Sequence, residues 1–179
     1  MVGIFFKLRG EIDTEWVFAD GSDVRAHQHA SGARIGEERA IGRSRGGATT
    51  KIHTAADAHG NPVDFEITGG EVHDAKAAPK LIGKLKAAQH IIADKGYDAE
   101  VIREHIRQAG ANPVIPRRSN SNKTNPEFDA HLYRQRHLVE NLFARLKHFR
   151  SIATRFEKLA RNFKAMLFIA CAFIWVKLK

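Results

Sequence analysis

The period of the hydrophobic positions changes several times along the chain. Trp16-Val17-Phe18-Ala19 is a short aromatic and β-branched run that stops at Asp20-Gly21-Ser22, which predicts a buried strand ending in a turn. Residues 23–48 are rich in glycine and arginine with almost no apolar periodicity, which predicts a long loop. Residues 49–58 and 63–68 predict two strands joined by His59-Gly60-Asn61-Pro62. In the second strand Val63, Phe65 and Ile67 alternate with Asp64, Glu66 and Thr68, so one face is expected buried and the other wet. After Thr68-Gly69-Gly70 the period becomes helical, with Asp74 as candidate N-cap and Leu81, Ile82 and Leu85 as the apolar stripe. His90-Ile91-Ile92-Ala93 then predicts a second short strand running into Asp94, repeating the pattern at Asp20. Residues 99–109 predict an amphipathic helix capped by Asp98 and stopped by Gly110, and Val114-Ile115 a brief strand. Beyond a polar basic loop at 117–125, a long helix is expected from about 126 to 150 with Asn125 as cap, and a last helix over 160–178.

This order predicts an α/β fold in which a mixed five-stranded sheet is flanked by helices, with a long loop after the first strand. At 179 residues and 43% hydrophobic, the chain suits one domain with a real core, taken as residues 16–179 behind an irregular stretch at 1–15. The apolar run at 165–176 is too short to span a bilayer, and the N-terminus has no signal-peptide core, so a cytoplasmic protein without a membrane partner is expected. A single cysteine, Cys171, excludes a disulfide framework and a cysteine-rich zinc site.

Charge sharpens the picture. The net charge is +9, yet residues 1–114 carry 15 Lys/Arg against 16 Asp/Glu, whereas residues 115–179 carry 14 against 4. A basic last third beside an acidic upstream part suits a protein that lays one face on a phosphate backbone next to a carboxylate site.

Asp20 and Asp94, at the carboxyl ends of short buried strands, stand where α/β sheets place ligands, although each can equally be a turn aspartate bonding its own backbone. Asp23 and Asp98 are the rivals within the same turns. On the long helix Tyr133, Arg136, Glu140 and Lys147 are 3, 4 and 7 residues apart and fall within about 60° of one another on the helical wheel. Glu140 is thus a lone carboxylate among cations, or simply the partner of Arg136 at i, i+4. Gly42-x4-Gly47 lacks the lysine of a phosphate loop and precedes a strand, so no nucleotide site is expected. Its Arg43 and Arg45 sit on glycine-rich backbone able to approach DNA. His27-x-His29 is read as surface or hydrogen-bonding histidines rather than a metal site.

The spacing Tyr133-x2-Arg136-x3-Glu140-x6-Lys147, with the stretches around Ala19-Asp20-Gly21-Ser22, Gly42-Arg43-Ser44-Arg45-Gly46-Gly47 and Ala93-Asp94-Lys95-Gly96-Tyr97-Asp98, resembles the DDE transposases of bacterial insertion sequences, specifically the IS-five type. That resemblance implies an RNase H-like catalytic domain. It also implies Asp20, Asp94 and Glu140 as the catalytic and metal-binding acids for two Mg²⁺ or Mn²⁺ ions, and Tyr133, Arg136 and Lys147 as DNA contacts, with Lys95 and the loop residues Arg43 and Arg45 as further candidates unless that loop is merely mobile. The implied partners are transposon-end and target DNA on the bacterial nucleoid, with a homo-oligomer assembled on that DNA. Two other readings are a non-catalytic DNA-binding remnant or second-frame product, and an RNase H-like structure-selective nuclease.

Overall fold

The computed structural model describes residues 2–8, 12–31, 38–85, 87–126 and 128–177. Its centre is a seven-stranded mixed sheet: β1 (Trp16–Ala26), β2 (Gly42–Ser44), β3 (Gly47–Ala56), β4 (Pro62–Gly69), β5 (His90–Ala93), β6 (Asn112–Val114) and β7 (Thr154–Arg155). β1 is the hub. On one side it pairs antiparallel with β3, which carries β2 and β4. On the other it pairs parallel with β5 and then β6, and its far end takes β7.

Alternation along β1 divides the core between two faces. Phe18 and Val24 look toward the C-terminal helices α5 (His137–Lys147) and α7 (Ala160–Val176), packing with Val139, Leu142, Leu146, Phe163 and Leu167. Val17 and Ala19 look the other way, with Ile91, onto Leu81, Ile82, Ile102 and Ile106 of α2 (Asp74–Ile82) and α3 (Glu100–Gln108). Helices on both faces of a mixed sheet were the expected class, and the two extra strands, β2 and β7, are too short to leave a periodic signal.

Several local expectations are corrected. β1 does not stop at Ala19 but runs eleven residues to Ala26, so residues 23–26 are strand rather than loop. What stops at Ala19 is its parallel partner: the last pair is Ala19 with Ala93. The 23–48 segment also contains a 3₁₀ turn at Gln28–Ser31 and the β2–β3 hairpin; its residues 32–37 lie outside the description. The polar face of β4 is not wet, because Lys80 of α2, Lys84 in the turn after it and Lys164 of α7 close over buried Asp64 and Glu66. Val2–Leu8, within the stretch expected to be irregular, forms α1, and its Phe5 is fully buried against Phe168.

The long helix predicted from residue 126 is three helices: α4 (Ala130–Arg134), α5 and α6 (Arg150–Ala153). Asp129 rather than Asn125 caps the first, accepting from the amides of His131 and Leu132, while Asn125 is spent on the Ile115 carbonyl and on Arg103. Between α4 and α5 the amides of Gln135, Arg136, Leu138 and Val139 each bond three residues back, a tight 3₁₀-type junction with Arg136 at its centre. Asp98 likewise does not cap α3; it gathers Arg103, Arg117 and the amide of Arg118.

Candidate active site

The register of β1 and β5 creates the site. Because Ala19 faces Ala93 across the parallel ladder, the next residue on each chain is an aspartate, and Asp20 and Asp94 sit side by side where β5 ends and β1 continues. Each carboxylate also bonds local backbone, Asp20 Oδ1 accepting from the Gly21 amide at 2.8 Å and Asp94 Oδ1 from the Gly96 amide at 2.8 Å. The turn-aspartate bond is thus present at both positions, and at Asp20 it leaves Oδ2 to the cleft between β1 and α5.

Glu140, exposed in the first turn of α5, is tied to Asp20 through Arg136. One guanidinium nitrogen lies 2.8 Å from Asp20 Oδ2, and the other bonds Glu140 Oε1. The ordinary i, i+4 pair is thus present and is extended to the sheet. Burial raises the Asp20 carboxyl above its ordinary range; the charge of Asp94 adds to this, while Arg136 and the Gly21 amide oppose it. Among the described residues no three acidic, His or Cys side chains already form a closed metal-ready group, since Arg136 stands between Asp20 and Glu140.

The other expected residues divide by position. Lys147, at the far end of α5, donates to Ser22 Oγ at 2.7 Å, so it borders the same cleft two residues along β1 from Asp20. Lys95 is exposed on the turn after Asp94, and the Arg118 side chain clasps that turn through the carbonyls of Lys95 and Gly96. Tyr133 is only partly exposed, stacked on Phe128 at the edge of the core. Arg43 and Arg45 are exposed on the β2–β3 hairpin. Thr49, paired with Arg25, lies five residues from Thr54, the partner of Asp20, which puts the hairpin about 17 Å along the strands from the acids. His27 meets His29 edge-on, with ring centroids 4.6 Å apart, and lies tilted against Phe156.

Sequence reasoning missed the groups behind Asp20. Gly21 is paired with His53 on β3, and a Cβ on Gly21 would come within 2.2 Å of Asp74 Oδ1. Buried Tyr97 lies in the field of Asp74, Asp20 and Asp94, which with burial pushes its hydroxyl well above the ordinary range. Only the topology brings residues 21, 53, 74 and 97 together, and no spacing announces it.

Residues 13–175 match the family described as Transposase DDE domain. The chain belongs to this family. It is 37% identical, over 133 residues, to a protein designated a transposase for insertion sequence element IS6501 of Brucella ovis, covering 72% of this chain and 99% of that protein. It is 34% identical over 143 residues to one designated for element IS402 of Burkholderia cepacia, of which the match spans 64%. In fold it is similar to the piggyBac transposase of a synaptic complex with hairpin DNA, with a TM-score of 0.54 at 10% identity over 93% of this chain and 48% of that one. The RNase H-like class expected for this DDE transposase domain is therefore its fold. The matched span takes in both aspartates, Glu140 and every basic residue named above. No helix among the described residues is long and apolar enough to cross a membrane.

Proposed function

We propose that this chain is the catalytic domain of an insertion-sequence transposase of the IS-five type. Its Asp20, Asp94 and Glu140 hold two Mg²⁺ or Mn²⁺ ions for phosphodiester cleavage at element ends and strand transfer to target DNA in the bacterial nucleoid. The observation that carries the reading is the Ala19–Ala93 register, which sets two carboxylates beside each other at a break in the sheet, with the only acid of α5 linked to the first of them.

The donor set fits hard divalent cations. All three ligands are carboxylates, and Asp20 is partly buried beside the like charge of Asp94, an arrangement that a cation relieves. When bound, such ions supply a stronger oxygen nucleophile and a stabilised leaving oxygen. The chain's own residues do the rest. The Gly21 and Gly96 amides fix one oxygen of each aspartate, and Arg136, once its carboxylate partners engage cations, is placed to donate to a DNA phosphate in their stead. Lys147 and Lys95 flank the cleft on the helix and strand sides as phosphate contacts, Tyr133 offers its exposed edge to a terminal nucleotide, and Arg43 and Arg45 meet the duplex farther along the sheet. DNA ends held in pairs call for a homo-oligomer assembled on DNA.

The test is nicking of a duplex carrying the element's end, with Mn²⁺ or with chelator, by the wild-type chain, Asp20→Asn and Asp94→Asn. Metal-dependent nicking abolished by both changes supports the reading. Salt-sensitive binding without nicking by any protein favours the DNA-binding remnant, and cleavage of branched or hybrid substrates alone favours the nuclease.

A further inference from the structure

Behind the first acid lies a set of polar contacts that the cleavage chemistry does not use. His53, on β3 directly across from Gly21, is fully buried. Its Nε2 is 2.9 Å from Thr68 Oγ1, and that hydroxyl donates to the Gly69 carbonyl, so its oxygen is left to accept from Nε2–H. The other ring nitrogen, Nδ1, faces Asp74 Oδ1 at 3.2 Å, an ion pair when the imidazole is protonated, and neither atom has a hydrogen-bond partner among the described residues. Lys51 stands farther from the same carboxylate, at 3.7 Å. Burial works to raise the Asp74 carboxyl, but His53 and Lys51 outweigh it and hold it below its ordinary range.

Asp74 opens α2, and its carboxylate is seated on the backbone of β1. The space it occupies is the one a side chain at position 21 would need, since a Cβ there would lie 2.2 Å from Oδ1 and 3.1 Å from Cγ. Gly21 is also the residue whose amide holds Asp20 Oδ1. The contacts therefore run in series from His53 to Asp74, from Asp74 to the Gly21 backbone, and from the Gly21 amide to Asp20.

We propose that His53 and Asp74 are positioning residues for the first acid: the buried imidazole holds Asp74 against Gly21, which fixes the amide that orients Asp20 toward a divalent cation. The inference rests on the proposed role of Asp20 as a metal ligand. Asp74 and His53 are not themselves ligands. They act on the metal through backbone, as groups one layer out from a metal commonly do.

Calorimetric Mn²⁺ binding to the purified full chain tests this, with duplex binding at fixed salt and thermal unfolding followed in parallel. His53→Gln and Asp74→Asn are each expected to weaken Mn²⁺ binding about tenfold or more, with duplex affinity unchanged. The double variant should lose no more than the worse single change, because the two act in series. Gly21→Ala keeps both partners yet drives Asp74 off the strand, so it should weaken Mn²⁺ binding similarly; it also keeps the inference testable if a change at buried His53 prevents folding. A purely structural role would lower the unfolding temperature and leave Mn²⁺ affinity alone. Wild-type affinity in folded Asp74→Asn and Gly21→Ala therefore overturns the inference. If Asp20→Asn abolishes binding while Asp74→Asn does not, the inference alone fails. If wild-type protein shows no Asp20-dependent binding, the proposed function fails and this inference with it.

Discussion

Arg136 Nη1 lies 2.8 Å from Asp20 Oδ2, joining two residues 116 positions apart in sequence. The same guanidinium holds Glu140, so one fork spans the sheet acid and the helix acid and fixes where α5 crosses β1. Burial works to lower the Arg136 pKa, and the charges of Asp20 and Glu140 outweigh it, so the cation is secure there. Lysine carries the charge but not the fork. Arg136→Lys is expected to keep the fold and lose about tenfold or more of end cleavage, measured as the initial nicking rate at saturating Mn²⁺.

Under the proposed function, separable contributions to DNA affinity are expected from Lys147 and the hairpin arginines. Lys147→Ala and Arg43→Ala should each weaken duplex binding uniformly across sequences and reduce the slope of log affinity against log salt by about one. Because Lys147 borders the cleft through Ser22 whereas Arg43 lies at the far end of the strands, only Lys147→Ala should also slow cleavage of already bound DNA. Salt titrations by fluorescence anisotropy, followed by single-turnover nicking, separate the two effects.

The turn bearing Asp94 depends on a second knot. Asp98 pairs with Arg103, itself almost wholly buried, at 2.9 Å and receives the Arg118 amide at 2.8 Å, while the Arg118 side chain reaches the carbonyls of Lys95 and Gly96. Asp98→Ala leaves the buried Arg103 guanidinium bonded only to the Ile115 carbonyl and Asn125, without its carboxylate, and should cost about 3 kcal/mol of stability, read from urea unfolding. Arg118→Ala removes only the exposed clasp, so it should cost much less.

Glu66 gives the fold an acid-sensitive point. Burial favours its neutral form, but Lys84, Lys80 and Lys164 outweigh this and lower its pKa below the ordinary 4.5. A carboxyl lowered in the folded state contributes stability that is fully present above its unfolded value and is lost as pH falls through the folded value. The wild-type urea midpoint should therefore fall as pH drops below 4.5, and Glu66→Gln should start lower and fall less steeply. Parallel acid profiles for the two proteins would contradict this.

How much was legible in the sequence follows from the range of the interactions. Asp20 and Asp94 stand out because each ends a short apolar run, with a glycine one or two residues on, and Glu140 because the helical spacing of Tyr133, Arg136 and Lys147 isolates it. The continuation of β1 past Asp20 could not be found, since Gly21, Ser22 and Asp23 read as a turn and are held extended only by pairing with His53, Ile52 and Lys51. The burial of Asp64 and Glu66 was hidden for a related reason. Alternation assigns them to solvent, and lysines from α2, the turn after it and α7 cover them. The break before α5 depends on Arg136 reaching across to β1, a tertiary contact that leaves no mark in a helical wheel. The His53–Asp74 pair is legible only once the β1–β3 register is known.

If the acid of α5 completes a metal site with the two strand aspartates, Glu140→Gln removes the chemistry and spares the fold. Gln keeps the size of the side chain and its helix, and removes the charge. In Mn²⁺ with a duplex carrying the element's end, the wild-type chain should nick and join DNA, whereas Glu140→Gln should bind the same duplex with the same salt dependence and do neither. Cleavage by Glu140→Gln at the wild-type rate would contradict the account.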